Sequence, residues 1–319
     1  MMDNGISRTL ISGPRYAVRI EISPLLPRGL QPFVSTSHPA SLLLFDRGMN
    51  FWRGSWNAYP FLLLESGGHF YVPAPPPWTL REKGHPSPGS LKYPDFWKCL
   101  AETLTGWNNG IPPRLDSLPL GLSAEGFPSP RLTDTEYILM RAPWETLQGK
   151  RFRAHRWELN CLRREYNAIQ AIPWSPEYRI PAGKLVERFF SSCRVKKEDS
   201  YTRLLLDDQY RAHEQAIDHS GDLDLTGILL FSGTELLAIS WFALLEEEQS
   251  SICFLEARNP DLKGIPVFLT QSFFRLFPNY DQLNIQGGSG VAGIEQAKQF
   301  EAPQACSPTY TQTLSLLPS

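Results

Sequence analysis

No stretch of this 319-residue chain is apolar for long enough to make a membrane-spanning helix. The longest apolar run, LLAISWFALL at 236–245, has ten residues against the roughly 20 that crossing a bilayer requires, and it reads as a buried strand. The first thirty residues interleave Asp3, Arg8, Arg15, Arg19 and Glu21 with three prolines, so they lack the apolar block of a secretion signal. The expectation is a cytoplasmic protein. Cysteine is sparse: Cys99, Cys161, Cys193, Cys253 and Cys306 stand singly, an odd set without a Cys-x-x-Cys pair, which argues against a disulfide framework and a zinc site. The six histidines form no His-Glu-x-x-His arrangement, which argues against a metal hydrolase of that type. With a formal charge of −2, the chain has no overall attraction to nucleic acid or anionic lipid, and any such binding must come from a local patch.

What is present is the balance of a soluble globular protein, 42% hydrophobic and 20% charged, with length for two domains at about 150 residues each. Proline divides the chain unevenly, because eighteen of the twenty-eight lie before residue 131. A loop-rich first domain is expected over 1–130 and a second over 131–319, with 112–131 as the linker. In the first, SLLLF at 41–45 and FLLLE at 61–65 have strand length, 61–72 reads as a hairpin across Gly67 and Gly68, and 95–106 reads as a helix capped by Asp95. In the second, the pattern predicts a helix over 145–168 and a proline-bounded turn at 173–181. An amphipathic helix follows at 183–193, then a helix from 207 capped by Asp207 or Asp208. Strands are expected at 227–233, 236–246 and 251–258, a helix at 266–277, a strand at 282–286, a helix at 291–300 and a strand at 309–316. No internal repeat is visible as sequence identity.

A strand, a short loop with Gly264 and a helix are a suitable unit for holding a diphosphate or another anion, because a helix start presents unpaired N–H groups and a partial positive charge. Gly264 would let the backbone approach a ligand and Lys263 would add charge, although a glycine before a helix is often only a turn. Two antiparallel strands before this unit and a strand and helix after it give the order expected of GNAT acyltransferases, whose donor lies between two splayed central strands. The loop departs from the acetyl-CoA pattern of that group. The key positions hold Asp261, Gly264 and Pro266, and Pro266 lacks an amide donor.

From about Ser35 to Tyr310 the chain resembles uncharacterised proteins that share the C-terminal domain of phosphatidylglycerol lysyltransferases, themselves tandem GNAT folds. The resemblance rests on LQGKRFRAHRWELNCL at 147–162, EQAIDHSGDLDLTG at 214–227, FLEARNPDLKG at 254–264 and LNIQGGSGVAGIEQAK at 283–298. The family's Gly-Lys-Lys opening matches Gly149, Lys150 and Arg151, and its Arg-Asn-x-x-Asn matches Arg156, Trp157 and Asn160. Its Glu-Lys pair is half kept as Glu256 and Ala257, and its terminal Asn and Lys match Asn284 and Lys298. SLLLFDRGMNFW and the strand pair ending in FYVPAPPP resemble the family's first repeat. Where the family's last motif carries acids and an arginine, this chain has Gln286, Gly288 and Glu295, which removes charge that would neutralise a lysyl donor. The string 286–290 is similar to a glycine-rich segment of peptidyltransferase-type tandem GNAT enzymes, which also use aminoacyl-tRNA.

The resemblance implies an α/β (α+β) tandem GNAT-like fold with mixed, mostly antiparallel sheets flanked by helices. It implies a co-substrate, aminoacyl-tRNA or acyl-CoA, rather than a permanently bound cofactor. Glu256, near the end of a central strand, is the candidate base or amine-positioning carboxylate, and Asn284 the candidate for orienting a carbonyl. Their plainer readings are a buried carboxylate paired with Lys150 or Lys298, and a turn cap. Donor binding is assigned to Lys150, Arg153, Arg156, Asn160, Lys263, Gly264 and Lys298. Segment 149–164 is the strong basic patch of the chain, able to hold the phosphates of a tRNA acceptor end or a coenzyme, or to serve as a solvated helix face. Cys161 and Cys253 sit in apolar surroundings and read as core, and His213 and His219 receive no role. The expected function is aminoacyl transfer from aminoacyl-tRNA to a small amine, peptide, hydroxyl or peripheral lipid acceptor. The alternatives are an acyl-CoA N-acyltransferase and a GNAT-shaped binding protein without catalysis.

Overall fold

A computed structural model describes residues 6–13, 15–25, 38–46, 48–80, 89–91, 93–166, 168–195 and 199–316. Asp3 and Ser35, both used above, lie outside them. The chain divides into two compact units, Met1–Glu136 with Ser307–Ser319, and Tyr137–Cys306.

The first unit opens with β1 (Ile6–Ile11), α1 (Arg15–Ile22) and α2 (Pro39–Leu44). The expected strand at 41–45 is therefore mostly helix: Pro39 occupies the first turn and the His38 ring accepts the Ala40 N–H. So short an apolar run carries no period that separates strand from helix. Next come β2 (Met49–Trp56), β3 (Tyr59–Ser66) and β4 (His69–Tyr71), an antiparallel sheet in the order β1-β2-β3-β4. Its last hairpin turns at Gly67 and Gly68, as expected, both with positive φ. After β5 (Gly89–Ser90), α3 (Pro94–Trp107) buries Phe96, Trp97, Leu100 and Leu104 against Phe61, Leu63 and Phe70. Its N-cap is Tyr93, and Asp95 lies inside the first turn rather than capping it.

The expected linker contains structure: β6 (Arg114–Pro119), β7 (Leu122–Ser123) and, from residue 131, β8 (Arg131–Met140). Leu115 and Leu118 there are fully buried. The prolines precede the strands or end them, where a missing N–H does not interrupt a ladder.

In the second unit the final residues of β8 lead into α4 (Arg141–Thr146), α5 (Arg153–Glu165), β9 (Ile169–Pro173), α6 (Arg179–Val195) and α7 (Ser200–Leu223). Then follow β10 (Thr226–Ser232), β11 (Glu235–Leu245), β12 (Ser250–Arg258), α8 (Ile265–Leu276), β13 (Gln282–Asn284) and α9 (Ala292–Phe300). β14 (Ala305–Thr313) returns the chain to the first unit. The single helix expected over 145–168 is broken, because Leu147 and Gly149 take positive φ values of 48° and 89°. α7 starts at Asp199, whose carboxylate accepts the Thr202 N–H at 2.7 Å. Asp207 and Asp208, the two residues expected to cap it, lie inside the helix, and Asp207 pairs with Arg194 at 2.8 Å.

LLAISWFALL forms most of β11, and its continuous apolar run reflects cover on both faces. Ile228, Leu230, Leu237 and Phe242 share a core with α5 and α8, and α6 packs against β11 and β12. Among the described residues no helix is long and apolar enough to cross a membrane.

From β1 in the first unit, with the two-residue β5 set aside, and from β9 in the second, the described elements run strand, helix, helix, three antiparallel strands, helix, strand. In the first unit Val72, beside β4, bridges Leu115 of β6 in parallel, and in the second β12 pairs with β13 in parallel. The antiparallel neighbour each then needs is supplied out of turn: β14 pairs with β6, and β8 with β13. The repeat absent from the sequence is thus present in the order of elements.

Candidate active site

The site begins with an incomplete pairing. β12 pairs with β11 along its whole length, from Ser250↔Leu245 to Arg258↔Ala238, with a bulge between Cys253 and Leu255. With β13 it pairs only at Ser250–Ile252. Beyond Ile252 the β13 strand ends while β12 continues, so residues 253–258 have a strand partner on one edge only.

Charged side chains gather at this opening. Glu256 of β12 is 30% exposed and lies 3.7 Å from Arg258. Glu301, just past α9, is held well above the usual carboxylate range, at about 8, first by burial and then by the neighbouring charge of Glu256; Lys298 and Arg258 pull it back only partly. Glu158 of α5 is also raised by burial, opposed by Arg258 and Lys263. The three acids Glu158, Glu256 and Glu301 and the cations Arg258, Lys263 and Lys298 therefore form one electrostatic group. Cys253 belongs to the same neighbourhood, partly buried against the core, and burial pushes its thiol up to about 12, which disfavours the thiolate that a nucleophile needs. His213, fully buried on α7, hydrogen-bonds the Glu256 backbone, and burial lowers it to about 3. A neutral imidazole thus ties α7 to the strand that carries Glu256.

The loop expected to receive a donor has a definite construction. Gly264 adopts φ 80° and starts α8, but it is buried, and a Cβ there would lie 2.5 Å from the Glu158 carbonyl oxygen of α5. Ile265 and Val267 in the first turn are fully buried as well. The close approach that Gly264 permits is that of a neighbouring helix, and the face expected to receive a donor is taken by α5.

Other predicted residues take mixed positions. Asn284 accepts the Gln286 N–H at 2.8 Å through its side-chain oxygen, which is the turn-capping geometry. Lys298 donates to the Ile285 carbonyl. Glu295 accepts from the Gly288 N–H at 2.9 Å and from the Tyr137 hydroxyl at 2.6 Å, pinning the glycine-rich loop to α9. Arg156 clamps the turn before α5 by donating to the Leu147 and Gly149 carbonyls. Lys150, Arg153 and Asn160 are exposed, and Lys263 stands 5.2 Å from the centre of the exposed Trp157 ring. Glu256, Lys263 and Lys298 thus meet in one electrostatic group, whereas Lys150, Arg153 and Asn160 lie on an outer surface. Glu158, Arg258 and Glu301 were not singled out from the sequence. Glu158 and Arg258 lie in the stretches 147–162 and 254–264 without a role assigned to them there, Glu301 lies in neither, and only the fold gathers the three.

No protein-family model and no curated protein matches this sequence. Solved structures do. A conserved protein of unknown function from Bacteroides thetaiotaomicron is similar with a TM-score of 0.71 and 16% identity, over 97% of this chain and 100% of that one. L-PGS from Bacillus licheniformis is similar with a TM-score of 0.50 and 13% identity, over 84% of this chain and 81% of that one. The C-terminal domain of a protein named for lysylphosphatidylglycerol synthetase, from Agrobacterium fabrum, has a TM-score of 0.49 at 10% identity, over 80% of each chain. The protein has a mixed α+β fold, with antiparallel and mixed sheets flanked by helices, similar to the folds of the Bacteroides protein and of L-PGS.

Proposed function

We propose that the protein transfers an aminoacyl group from aminoacyl-tRNA to an amine or hydroxyl acceptor at the opening between β12 and β13. The observation that carries this reading is the burial of Gly264 beneath the Glu158 carbonyl. The first turn of α8 is where a coenzyme diphosphate would be expected, and α5 covers it with a main-chain carbonyl that repels phosphate. Pro266 further lacks an amide there. The outward surface of that covering helix carries Arg153, Arg163 and Arg164, all exposed, which suits a polyanionic donor held from outside.

The chemistry needs little from the protein beyond positioning. The acceptor nitrogen or oxygen attacks the ester carbonyl carbon of the donor. A bond from acceptor to acyl carbon forms, the ester bond to the ribose oxygen breaks, and that oxygen leaves with a proton. Glu256 takes the proton of the attacking group and returns it to the departing ribose oxygen, and Arg258, 3.7 Å away, orients its carboxylate.

The test is a transfer assay with the pure protein and a pool of charged tRNA, alongside gel retardation at low salt. Retardation that weakens steeply with salt, with loss of the aminoacyl group when acceptor amines are added, supports the reading. No retardation at any salt overturns the donor. A rise in melting temperature at millimolar coenzyme A would favour an acyl-CoA enzyme instead, because a ligand of the folded state stabilises it by mass action.

A further inference from the structure

Among the tryptophans whose side chains are described Trp157 is the one exposed, 55% accessible, whereas Trp97, Trp144 and Trp241 are fully buried. It lies on the outer face of α5, opposite the buried His155, Leu159 and Leu162. Arg153 stands four residues before it, Asn160 three after and Arg164 seven after, so all share its side of the helix. All three are exposed, and among the described residues neither arginine forms an ion pair. Lys263, from the loop before α8, approaches the ring from beside the helix at 5.2 Å.

An exposed indole ringed by cations is costly to maintain for packing alone, since the ring buries little and the charges repel one another. We infer that this face of α5 is a stacking platform for an unpaired nucleobase at the single-stranded 3′ end of an RNA, an inference that rests on the RNA donor proposed above. The indole takes the π-face of the base. Arg153, Arg164 and Lys263 take the flanking phosphates, and Asn160 reaches the edge of the base with a donor and an acceptor. Stacking tolerates any base while the cations track the backbone. A membrane-inserting face is disfavoured, because Trp157 is the single large apolar side chain exposed on α5 and its neighbours are charged or amide groups.

The test measures binding of two labelled RNA hairpins built on a tRNA acceptor stem, one with its single-stranded 3′ end and one trimmed to a blunt end. Wild type, Trp157→Ala and Trp157→Phe are compared at low and moderate salt. Trp157→Ala is expected to weaken the overhanging RNA about tenfold or more and to leave the blunt RNA unchanged, with Trp157→Phe retaining most of the affinity and all three proteins melting alike. Equal binding of the overhanging RNA by wild type and Trp157→Ala overturns the platform while leaving the RNA donor intact. Failure of wild type to bind either RNA overturns both. If Trp157→Ala loses binding to phosphatidylglycerol vesicles and not to RNA, the face is a membrane contact and the platform is likewise overturned.

Discussion

The imidazole of His155 and the carboxylate of Glu301 lie 3.9 Å apart, His155 with 1% of its side chain exposed and Glu301 with 17%. They are not an ion pair near neutrality. Burial, joined by Arg151, lowers His155, and burial, joined by Glu256, raises Glu301 to about 8. Each group is driven to its neutral form, so the contact is a histidine base beside a protonated acid. A raised carboxyl binds its proton in the folded state when the unfolded chain has already lost it. From the ordinary glutamate range up to about pH 8, each pH unit therefore costs as much as about 1.4 kcal/mol of stability. Glu301→Gln keeps the shape of the neutral acid. Its melting temperature relative to wild type should climb from pH 5 to pH 8 and level off above; a difference independent of pH would contradict the raised carboxyl.

Gly264 gives a second measurement. Its backbone is left-handed at φ 80°, and a Cβ would meet the Glu158 oxygen at 2.5 Å and the Leu159 nitrogen at 3.1 Å, both main-chain atoms of α5 that no side-chain rotation can move. Gly264→Ala should destabilise the protein by about 2–4 kcal/mol, from left-handed strain plus overpacking. Chemical denaturation measures it. A cost below about 0.5 kcal/mol, within the range of ordinary surface substitutions, would mean that α5 does not cover the loop.

Much of the second unit was legible in the sequence because its signals are local. GILLFSG, LLAISWFALLE and SICFLEAR lie within one residue of β10, β11 and β12, and Gly264 marked the start of α8. The first unit was harder. The five residues of SLLLF fit either period, and the prolines around β6 hid a strand whose Leu115 and Leu118 are buried. The charged group around Glu256 was only partly legible. Glu256 and Lys298 were named from motifs, but Arg258, two residues beyond Glu256, and Glu158 lay in quoted stretches without a role, and Glu301 lay in none. Their shared electrostatics depends on distances that exist only after folding. The role of Gly264 was misjudged for the same reason, since no local pattern records that α5 packs across it.

The glycine-rich loop is fastened by one carboxylate. Glu295 accepts the Tyr137 hydroxyl at 2.6 Å and the Gly288 N–H at 2.9 Å, and a hydrogen bond to a charged group contributes about 1.5–3 kcal/mol. Tyr137→Phe removes one of these bonds and leaves the other. A loss of about 1–2 kcal/mol is expected, with faster hydrogen exchange at the Gly288 amide as the loop loosens. Unchanged exchange there would show that the loop holds its conformation without the tyrosine.

Glu256 provides the direct probe of the proposed transfer. Its side chain is 30% exposed beside Arg258, while its backbone is held by His213. Replacing the carboxylate by an amide therefore removes the proton acceptor without disturbing the anchor. Glu256→Gln should lower the transfer rate by about 10²–10⁴-fold while tRNA retardation and melting temperature stay near wild type. Glu256→Asp, which keeps a base but shortens its reach, should fall between the two. The neighbouring Glu301 adds a control on interpretation, because Glu256 is one of the charges that raise it. Glu256→Gln should bring Glu301 down, and the pH at which the Glu301→Gln effect levels off should then move to lower pH in that background. Full transfer activity in Glu256→Gln, with this shift present, would place the carboxylate in the electrostatics of the site and remove it from the reaction.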